Sequence, residues 1–165
     1  MPQGQLILLS LVLLLWASPA AAEQQPDYTL EISNSEQQLL IRFPVHQGRW
    51  CMHWQHSVTG IAVQDCYRTE NQQLLLDHSW QPDFAAGLGH FEGRGTLSSH
   101  PEGGYLIKNI NEPVTDNRFW MRAGAENVAH TLVSADQRLN LSKLAAGQRL
   151  QIHLVIHDQT DTKNP

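Results

Sequence analysis

Two short segments at 50–57 and 61–67, separated by a small turn, limit the fold of this chain more than any other feature. Apolar and polar residues alternate along both segments, and this period of two is typical of β-strands. Tight pairing across the turn places Cys51 directly opposite Cys66, whereas a slip of one residue would place the two cysteines on different faces. The pattern therefore predicts a β-hairpin that brings these cysteines together, with a small bulge near the turn because directly opposed cysteines are geometrically awkward.

The two faces of this hairpin differ in chemistry. The face of the two cysteines also carries His53, Gln55, Ala62 and Gln64. The opposite face carries Trp50, Met52, Trp54, His56, Ile61, Val63, Asp65 and Tyr67. The second face is the more apolar, so we expect it to pack inward.

Similar short alternating runs occur along the rest of the chain. The clearest is 149–157, where leucines and isoleucines alternate with polar residues. The others are Tyr28–Ile32, Leu39–Phe43, Leu74–Leu76, Tyr105–Ile110, Phe119–Arg122 and Val128–Val133. One helical turn is expected at Ser142–Gly147, with a serine at its start and a glycine behind it. The sequence therefore predicts an all-β fold, a single small antiparallel sandwich or barrel-like domain of short strands.

The N-terminus has the order of features found in a secretory signal peptide. An apolar run at Leu6–Trp16 is followed by Pro19 and by the small residues Ala20–Ala22. The run is shorter than the roughly 20 apolar residues that a membrane-spanning helix needs. We therefore expect a signal peptide at 1–22, a β domain at 23–158 and a flexible tail at 159–165. Export to the periplasm follows, with an uncleaved signal anchor as the alternative because no Lys or Arg precedes the apolar run.

Charge and cysteine content fit an exported protein. The chain has 16 acidic residues against 11 Lys and Arg, a formal net charge of −5 at pH 7. Because nucleic-acid binding needs a basic surface, we predict no nucleic-acid partner, and membrane contact only through an uncleaved anchor. An oxidising compartment favours a disulfide between Cys51 and Cys66 over a metal site, with two free thiols as the alternative.

The nine histidines do not show the spacing of a metal site. Neither H-x-x-x-H nor H-E-x-x-H occurs, and His53 and His56 point to opposite faces of a strand because they are three residues apart. We predict no bound metal and no cofactor. A long-range site that draws on His56, His90, His100 or His130 stays open as an alternative.

No catalytic constellation emerges from the sequence. The adjacent residues His56 and Ser57 point to opposite sides of a strand, so they do not form an activated nucleophile and its base. A G-x-S-x-G turn and a pair of carboxylates suited to glycoside chemistry are both missing. We therefore predict that the protein is not an enzyme.

Several ionisable residues fall on predicted apolar faces. Among these, Asp65 is the most demanding, because a buried carboxylate is costly unless it is paired and hydrogen-bonded. We expect Arg122 or His130, from another strand, to be its partner. Two interpretations follow: a polar pair that joins the sheets, or a small pocket or docking face lined by His56, Asp65, Arg122 and His130.

An ordered series of short motifs runs from about Trp50 to Ile156. The series consists of His56-Ser57-Val58, Val63-x-Asp65-x-Tyr67, Gly87-x-Gly89, Gly103-Gly104, Ile107-x-Asn109-Ile110-Asn111, Met121-Arg122-x-Gly124, Val128-x-His130-Thr131-Leu132, Leu141-x-x-Leu144 and Gly147. In this order the motifs resemble a family of small exported bacterial proteins, the domain-of-unknown-function 1850 family.

The resemblance implies an accessory protein at the outer face of the inner membrane. Members of that family are often encoded beside TAXI-type TRAP transporters, which are ATP-independent importers with an extracytoplasmic solute-binding protein. The family supplies no established binding residues. It usually has Glu where this chain has Asp65 and lacks the cysteine pair, so the resemblance implies that the disulfide is a local staple.

The sequence therefore supports two hypotheses of different classes. The leading one is a non-enzymatic periplasmic accessory of a TAXI-type TRAP uptake system that contacts the solute-binding protein or the permease. The alternative is a periplasmic module that binds a small molecule or a metal; a hydrolase with an unrecognised site ranks third. The candidate ligand or contact residues are His56, Asp65, Arg122, His130, Asn109 and Asn111.

Overall fold

The computed structural model describes residues 28–83, 91–101 and 103–157. The predicted signal peptide at 1–22, the predicted tail at 159–165 and the motif Gly87-x-Gly89 lie outside these residues. Within the described part of the chain, no helix is long and apolar enough to cross a membrane.

The described residues form mostly short strands, with one 3₁₀ turn at Thr115–Asn117 and one α-helix, α1, at Leu141–Ala145. The strands are β1 (Tyr28–Asn34), β2 (Leu39–Val45), β3 (Arg49–Gln55), β4 (Ala62–Glu70), β5 (Gln73–Gln81), β6 (Thr96–Ser99), β7 (Tyr105–Lys108), β8 (Glu112–Pro113), β9 (Arg118–Arg122), β10 (Thr131–Ser134), β11 (Gln137–Asn140) and β12 (Arg149–Ile156).

The strands form two antiparallel sheets that pack against each other. The small sheet has the order β2-β1-β12-β9, and the large sheet has the order β11-β10-β3-β4-β5-β7-β6, with β8 also paired to β5. The chain leaves the small sheet after β2, returns for β9, crosses again for β10 and β11, and ends with β12 between β1 and β9. The sheets do not close into a barrel. The all-β prediction is confirmed, and a sandwich is the architecture observed.

Strand β12 shows how alternation builds the core. Leu150, Ile152 and Leu154 are buried, whereas the residues between them are partly exposed. Because β12 pairs with β1 on one edge and β9 on the other, its apolar face lies in the middle of the small sheet. The buried cluster contains Leu30, Ile32, Phe43 and Val45 from the small sheet and Trp50, Met52, Leu74 and Leu132 from the large one. The alternation at 149–157 therefore predicts the buried face correctly.

An aromatic stack joins the two sheets. The rings of Trp50 and Tyr67, on adjacent strands of the large sheet, are nearly parallel with centroids 4.2 Å apart. Phe119 of the small sheet stacks on Tyr67 at 5.8 Å. Rings of this size supply much of the apolar area buried in a small core.

The predicted hairpin and its register are confirmed. Every residue at 49–55 pairs with β4 without a shift, and Cys51 lies opposite Cys66. The two cysteines form a disulfide with their Cα atoms 4.0 Å apart. His56 N–H donates to the carbonyl of Ile61, so the alternation of pair types makes the cysteines a non-hydrogen-bonded pair, in which opposite Cα atoms lie closest. The predicted bulge near the turn is wrong, because this pair type accommodates direct opposition.

A bulge occurs instead at the other edge of β4. The register between β4 and β5 shifts between Cys66 and Tyr67, which leaves Asp77 as the extra residue. A bulge of this kind locally changes the direction in which side chains point.

Predicted and observed strands differ in extent, and three short strands were not predicted. The strand predicted at Val128–Val133 begins only at Thr131, because Val128 belongs to a turn in which its N–H donates to the carbonyl of Ala125. Strands β6, β8 and β11 are two to four residues long and were not predicted. Such short strands carry too few residues to show a period.

The single helical turn is present, but Ser142 does not cap it. The side chain of Asn140 accepts a hydrogen bond from the N–H of Lys143 at 2.8 Å and therefore caps α1. The hydroxyl of Ser142 instead accepts a hydrogen bond from the N–H of His130. The helix therefore begins at Leu141, one residue before the predicted start, and its N-cap lies two residues before Ser142.

The disulfide gives the first testable prediction. Replacing Cys51 and Cys66 together with alanine should lower the free energy of unfolding by about 3 kcal/mol, because a cross-link over a loop of this length restricts the unfolded chain. Denaturant unfolding with and without reductant measures this. The oxidised wild type should lose stability on reduction, whereas the double variant should not respond. Equal stability of the variant and the oxidised wild type would contradict the prediction.

Candidate functional site

Asp65 lies on the inner face of the large sheet and accepts two hydrogen bonds there. The indole Nε1 of Trp54 donates to Asp65 Oδ2 at 3.2 Å. The hydroxyl of the buried Ser79 donates to Asp65 Oδ1 at 2.8 Å. The expected partners, Arg122 or His130, are therefore wrong: the carboxylate is satisfied by the strands on either side of it.

Trp54 contacts three of the predicted candidate residues, Asp65, His56 and His130. Besides its bond to Asp65, its ring lies 6.2 Å from that of His56 and 5.9 Å from that of His130. We call Trp54, His56, Asp65, Ser79 and His130 the Trp54 cluster. It lies beside the apolar core, against which Trp54 packs.

His56 organises the turn of the hairpin. Its Nδ1 accepts hydrogen bonds from the backbone N–H groups of Val58 at 3.4 Å and Thr59 at 3.2 Å. A nitrogen that accepts from N–H groups carries no proton, so the proton of the neutral ring is on Nε2 and the Thr59 hydroxyl, 3.1 Å away, donates to Nδ1. Ser57 is exposed in the same turn. The imidazole is therefore bonded to the turn backbone.

His130 ties the loop after β9 to α1. Its Nδ1 accepts a hydrogen bond from the N–H of Gly124 at 2.9 Å, and its own N–H donates to the hydroxyl of Ser142 at 3.0 Å. Burial lowers the pKa of the His130 imidazole. Burial and hydrogen bonding therefore both favour the neutral ring. Together with the bonds of Asp65, these contacts favour the interpretation of the cluster as a structural polar network.

Arg122 is separated from the Trp54 cluster by the orientation of β9. Met121 pairs with the buried Leu150 and faces the core, so Arg122 points outward from the small sheet. Its Nη1 donates to the carbonyl of Gly147 at 2.6 Å. The four predicted pocket residues therefore do not share one face.

The outer surface of the small sheet is rich in arginine. Arg149 lies opposite Arg122, and its guanidinium is 4.7 Å from the centre of the exposed Trp120 ring. We call this surface the basic face. It carries Arg42, Arg118, Trp120, Arg122, Arg149 and His153.

The arginines of the basic face differ in how they are paired. Arg42 forms an ion pair with Glu31 at 2.9 Å, and Arg118 pairs with Asp116 at 3.2 Å. Among the described residues no carboxylate pairs with Arg122 or Arg149. These two side chains therefore carry the unbalanced positive charge of the face, on a chain whose net charge is −5.

An ionic cluster on the outer face of the large sheet was not predicted from the sequence. The bulge lets Asp77 reach Arg68, whose Nε donates to Asp77 Oδ1 at 2.9 Å, while His78 Nδ1 lies 2.9 Å from Oδ2. Arg68 also pairs with Glu70. Burial alone would raise the pKa of the Asp77 carboxyl, but the hydrogen bonds from His78 and Arg68 hold it below its usual value.

The two candidate asparagines lie beside this cluster. The side chain of Asn111 accepts a hydrogen bond from Arg68 Nη2 at 2.9 Å. Asn109 and Asn111 have φ values of +55° and +51°, a region that Asn adopts more readily than most residues. Between them, the N–H of Ile110 donates to the carbonyl of Asp77. Both asparagines therefore have a structural role in the turn against β5.

Within the described ranges, no three or more His, Cys, Asp or Glu side chains lie close enough together to hold a metal ion. His90, one residue of the long-range alternative, lies outside those ranges.

Asp65 provides a test of the structural network. Asp65→Ala should lower the free energy of unfolding by about 1–3 kcal/mol, because Trp54 and Ser79 lose their common acceptor in a partly buried place. Asp65→Asn keeps one acceptor oxygen and should cost less. Denaturant unfolding measures both variants. The control Asp136→Ala, at an exposed turn, should change the free energy of unfolding by less than about 0.5 kcal/mol. If Asp65→Ala destabilises the protein no more than this control does, the hydrogen bonds of Asp65 do not stabilise the fold.

His130 predicts how stability depends on pH. Because the folded state lowers its pKa, the unfolded chain binds a proton more readily, and stability falls as pH drops below the ordinary histidine value of 6.5. His130→Asn supplies an amide oxygen in place of Nδ1 but does not titrate. Its loss of stability between about pH 7.5 and about pH 5 should be smaller than that of the wild type. If the free energy of unfolding of the variant and of the wild type falls equally with decreasing pH, His130 is not the group responsible. The difference in free energy of unfolding at alkaline pH, where the wild-type ring is neutral, gives the cost of the substitution that does not depend on pH.

No curated protein and no solved structure matches the chain. The model of one family, described as a domain of unknown function (DUF1850), matches residues 51–141, which is more than half of the chain. That region runs from the first cysteine of the hairpin to the first residue of α1, and so includes the Trp54 cluster and most of the large sheet. The chain therefore belongs to the DUF1850 family.

Proposed function

We propose that the protein is a periplasmic, non-enzymatic accessory of a TAXI-type TRAP uptake system, and that it acts by binding the solute-binding protein or the permease through its basic face. The observation that carries the contact mechanism is the unbalanced charge of Arg122 and Arg149 beside an exposed tryptophan. The link to a TRAP system rests on the family resemblance.

The location outside the cytoplasm is supported by the disulfide. Disulfides persist in oxidising compartments such as the periplasm and are rare in the cytosol. The Cys51–Cys66 bond staples two adjacent strands, as expected of a structural disulfide. The signal-like sequence at 1–22 supports the same location.

The composition of the basic face supports protein contact. Arginine and tryptophan are over-represented among residues that dominate binding energy at interfaces. Trp120 is 38% exposed and lies under the guanidinium of Arg149, so binding would bury both an apolar ring and a cation. Strand pairing holds these side chains on a rigid surface, which reduces the entropy lost on association.

An acidic protein surface fits this face better than an anionic membrane. Each basic residue near an anionic bilayer contributes about 1 kcal/mol, so membrane binding usually uses clusters of four or more. Arg42 and Arg118 of the basic face are already paired with carboxylates. The remaining two are better suited to specific pairing with carboxylates of a protein, supported by the contact area of Trp120.

The hydrogen bonds of His56 and Asp65 support a structural role for these two side chains, in agreement with a protein that acts by binding. Its Nδ1 accepts from the turn backbone, which leaves Ser57 without this nitrogen as a base. The carboxylate of Asp65 likewise accepts hydrogen bonds from Trp54 and Ser79. His56 therefore stabilises the turn of the hairpin, and Asp65 links the hairpin to β5.

Co-purification tests the proposal. The protein should be captured from solubilised membranes together with the solute-binding protein or the permease when the neighbouring transporter genes are co-expressed. Arg122→Glu combined with Arg149→Glu should abolish this capture, and added salt should weaken capture of the wild type. The matched control, Lys108→Glu with Lys143→Glu, changes the net charge equally at exposed sites outside the basic face and should bind normally.

The outcomes separate two questions. If the wild type captures no transporter component under mild conditions, the proposed partner is wrong. If the wild type and the arginine variant capture it equally, the partner stands and the basic face is not the contact surface. Circular dichroism of each variant confirms that it is folded.

A further inference from the structure

A shallow cleft lies on the outer face of the large sheet, next to the disulfide. Its volume is about 220 Å³. Three of its residues, Thr131, His53 and Gln64, form one cross-strand row over β10, β3 and β4. Arg138 lies opposite Val133, in the next row, which also contains the disulfide. Gln55 completes the polar lining.

The polar groups of this cleft have unused hydrogen-bonding capacity. Within the described residues, the side chains of His53, Gln55, Gln64 and Arg138 form no hydrogen bond or ion pair with one another or with a neighbour. Thr131 donates its hydroxyl to the carbonyl of Ala129 and can still accept. The side chains of His53, Gln55 and Gln64 are partly exposed and that of Arg138 is exposed, so all four are accessible to an external ligand.

The charge of the cleft selects the kind of ligand. Arg138 supplies a fixed positive charge and a planar fork of donors that matches a carboxylate. Burial, and then the nearby Arg138, lower the pKa of His53, so its ring is neutral at physiological pH and can both donate and accept. The amides of Gln55 and Gln64 can likewise bond to a hydroxyl or carbonyl group.

We propose that this cleft is a binding site for a small organic carboxylate, with Arg138 holding the carboxylate and His53, Gln64 and Thr131 contacting a polar group next to it. The volume is below the roughly 300–1,000 Å³ of sites for drug-sized ligands, so the ligand has only a few carbon atoms. The site is independent of the basic face, which lies on the other sheet.

A carboxylate fits this cleft better than phosphate or a metal ion. Phosphate sites usually combine several cationic groups or a helix N-terminus, whereas one arginine lines this cleft. A metal ion would be repelled by the guanidinium, and none of the lining residues is a carboxylate or a thiolate. Hydroxyl- and amide-rich linings with one arginine are suited to a monoanion that carries a second polar group.

NMR titration of the purified, disulfide-bonded protein tests the site. L-Lactate and pyruvate are the probes, with lactamide as the uncharged isostere of lactate. Saturable shifts should appear at the backbone amides of His53, Gln64, Thr131 and Arg138 with lactate or pyruvate, and not with lactamide. Arg138→Gln should raise the Kd by about tenfold or more. Arg49→Gln, a matched exposed arginine at the start of β3 and outside the cleft, should leave the Kd unchanged.

Three results would overturn the proposal. The first is the absence of saturable shifts in the cleft with either acid. The second is an equal Kd for the Arg138→Gln and Arg49→Gln variants, which would show that the shifts arise from general charge effects. The third is inorganic phosphate binding as tightly as both acids at the same amides, which would make the cleft a general anion site. Because Arg138 is exposed, its substitution should leave the fold intact, and the dispersion of amide signals verifies this.

Discussion

The unbroken pairing of β3 with β4 is the constraint on which the rest of the structure depends. Because side chains alternate along a strand, this one register decides that Trp50, Met52 and Trp54 face the core and that Cys51 and His53 face the opposite side. The disulfide holds the register covalently at a non-hydrogen-bonded pair. A slip by one residue would break the sulfur–sulfur bond and move the aromatic side chains into solvent. The core, the Trp54 cluster and the outer face of the large sheet therefore depend on the same set of pairs.

Much of this arrangement could be predicted from the sequence, because the period of two is local. The alternation at 149–157 gave the buried face of β12, and the two cysteines fixed the register of the hairpin. The all-β class followed from the number of such runs. Strand order could not be predicted in this way. The insertion of β12 between β1 and β9 depends on contacts between residues that are far apart in the sequence.

The candidate site was predicted less well, for a physical reason. The sequence indicated that Asp65 and His130 lie on apolar faces, and in the structure both contact Trp54, which packs against the core. It did not indicate the partners of Asp65, because a carboxylate suggests a cation, whereas Trp54 and Ser79 satisfy it with neutral donors. Neutral donors satisfy a partly buried carboxylate without requiring a second charge to be desolvated. A search for charged pairs alone therefore misses such a network.

The bulge at Asp77 also produces a polar cluster that the sequence pattern does not predict. It places Asp77 and His78 beside Arg68, although strict alternation assigns the adjacent residues Asp77 and His78 to opposite faces. Register shifts of this kind have no reliable sequence signal, since any short polar segment in a strand can host one. Their effect is to concentrate charge where alternation would disperse it. In this protein the ionic cluster so formed satisfies its own charges, whereas Arg122, Arg149 and Arg138 have no such carboxylate partner among the described residues. Unbalanced cations at exposed positions contribute little to folding. This difference is the physical reason why we propose binding at the basic face and at the cleft of Arg138 rather than at the Trp54 cluster.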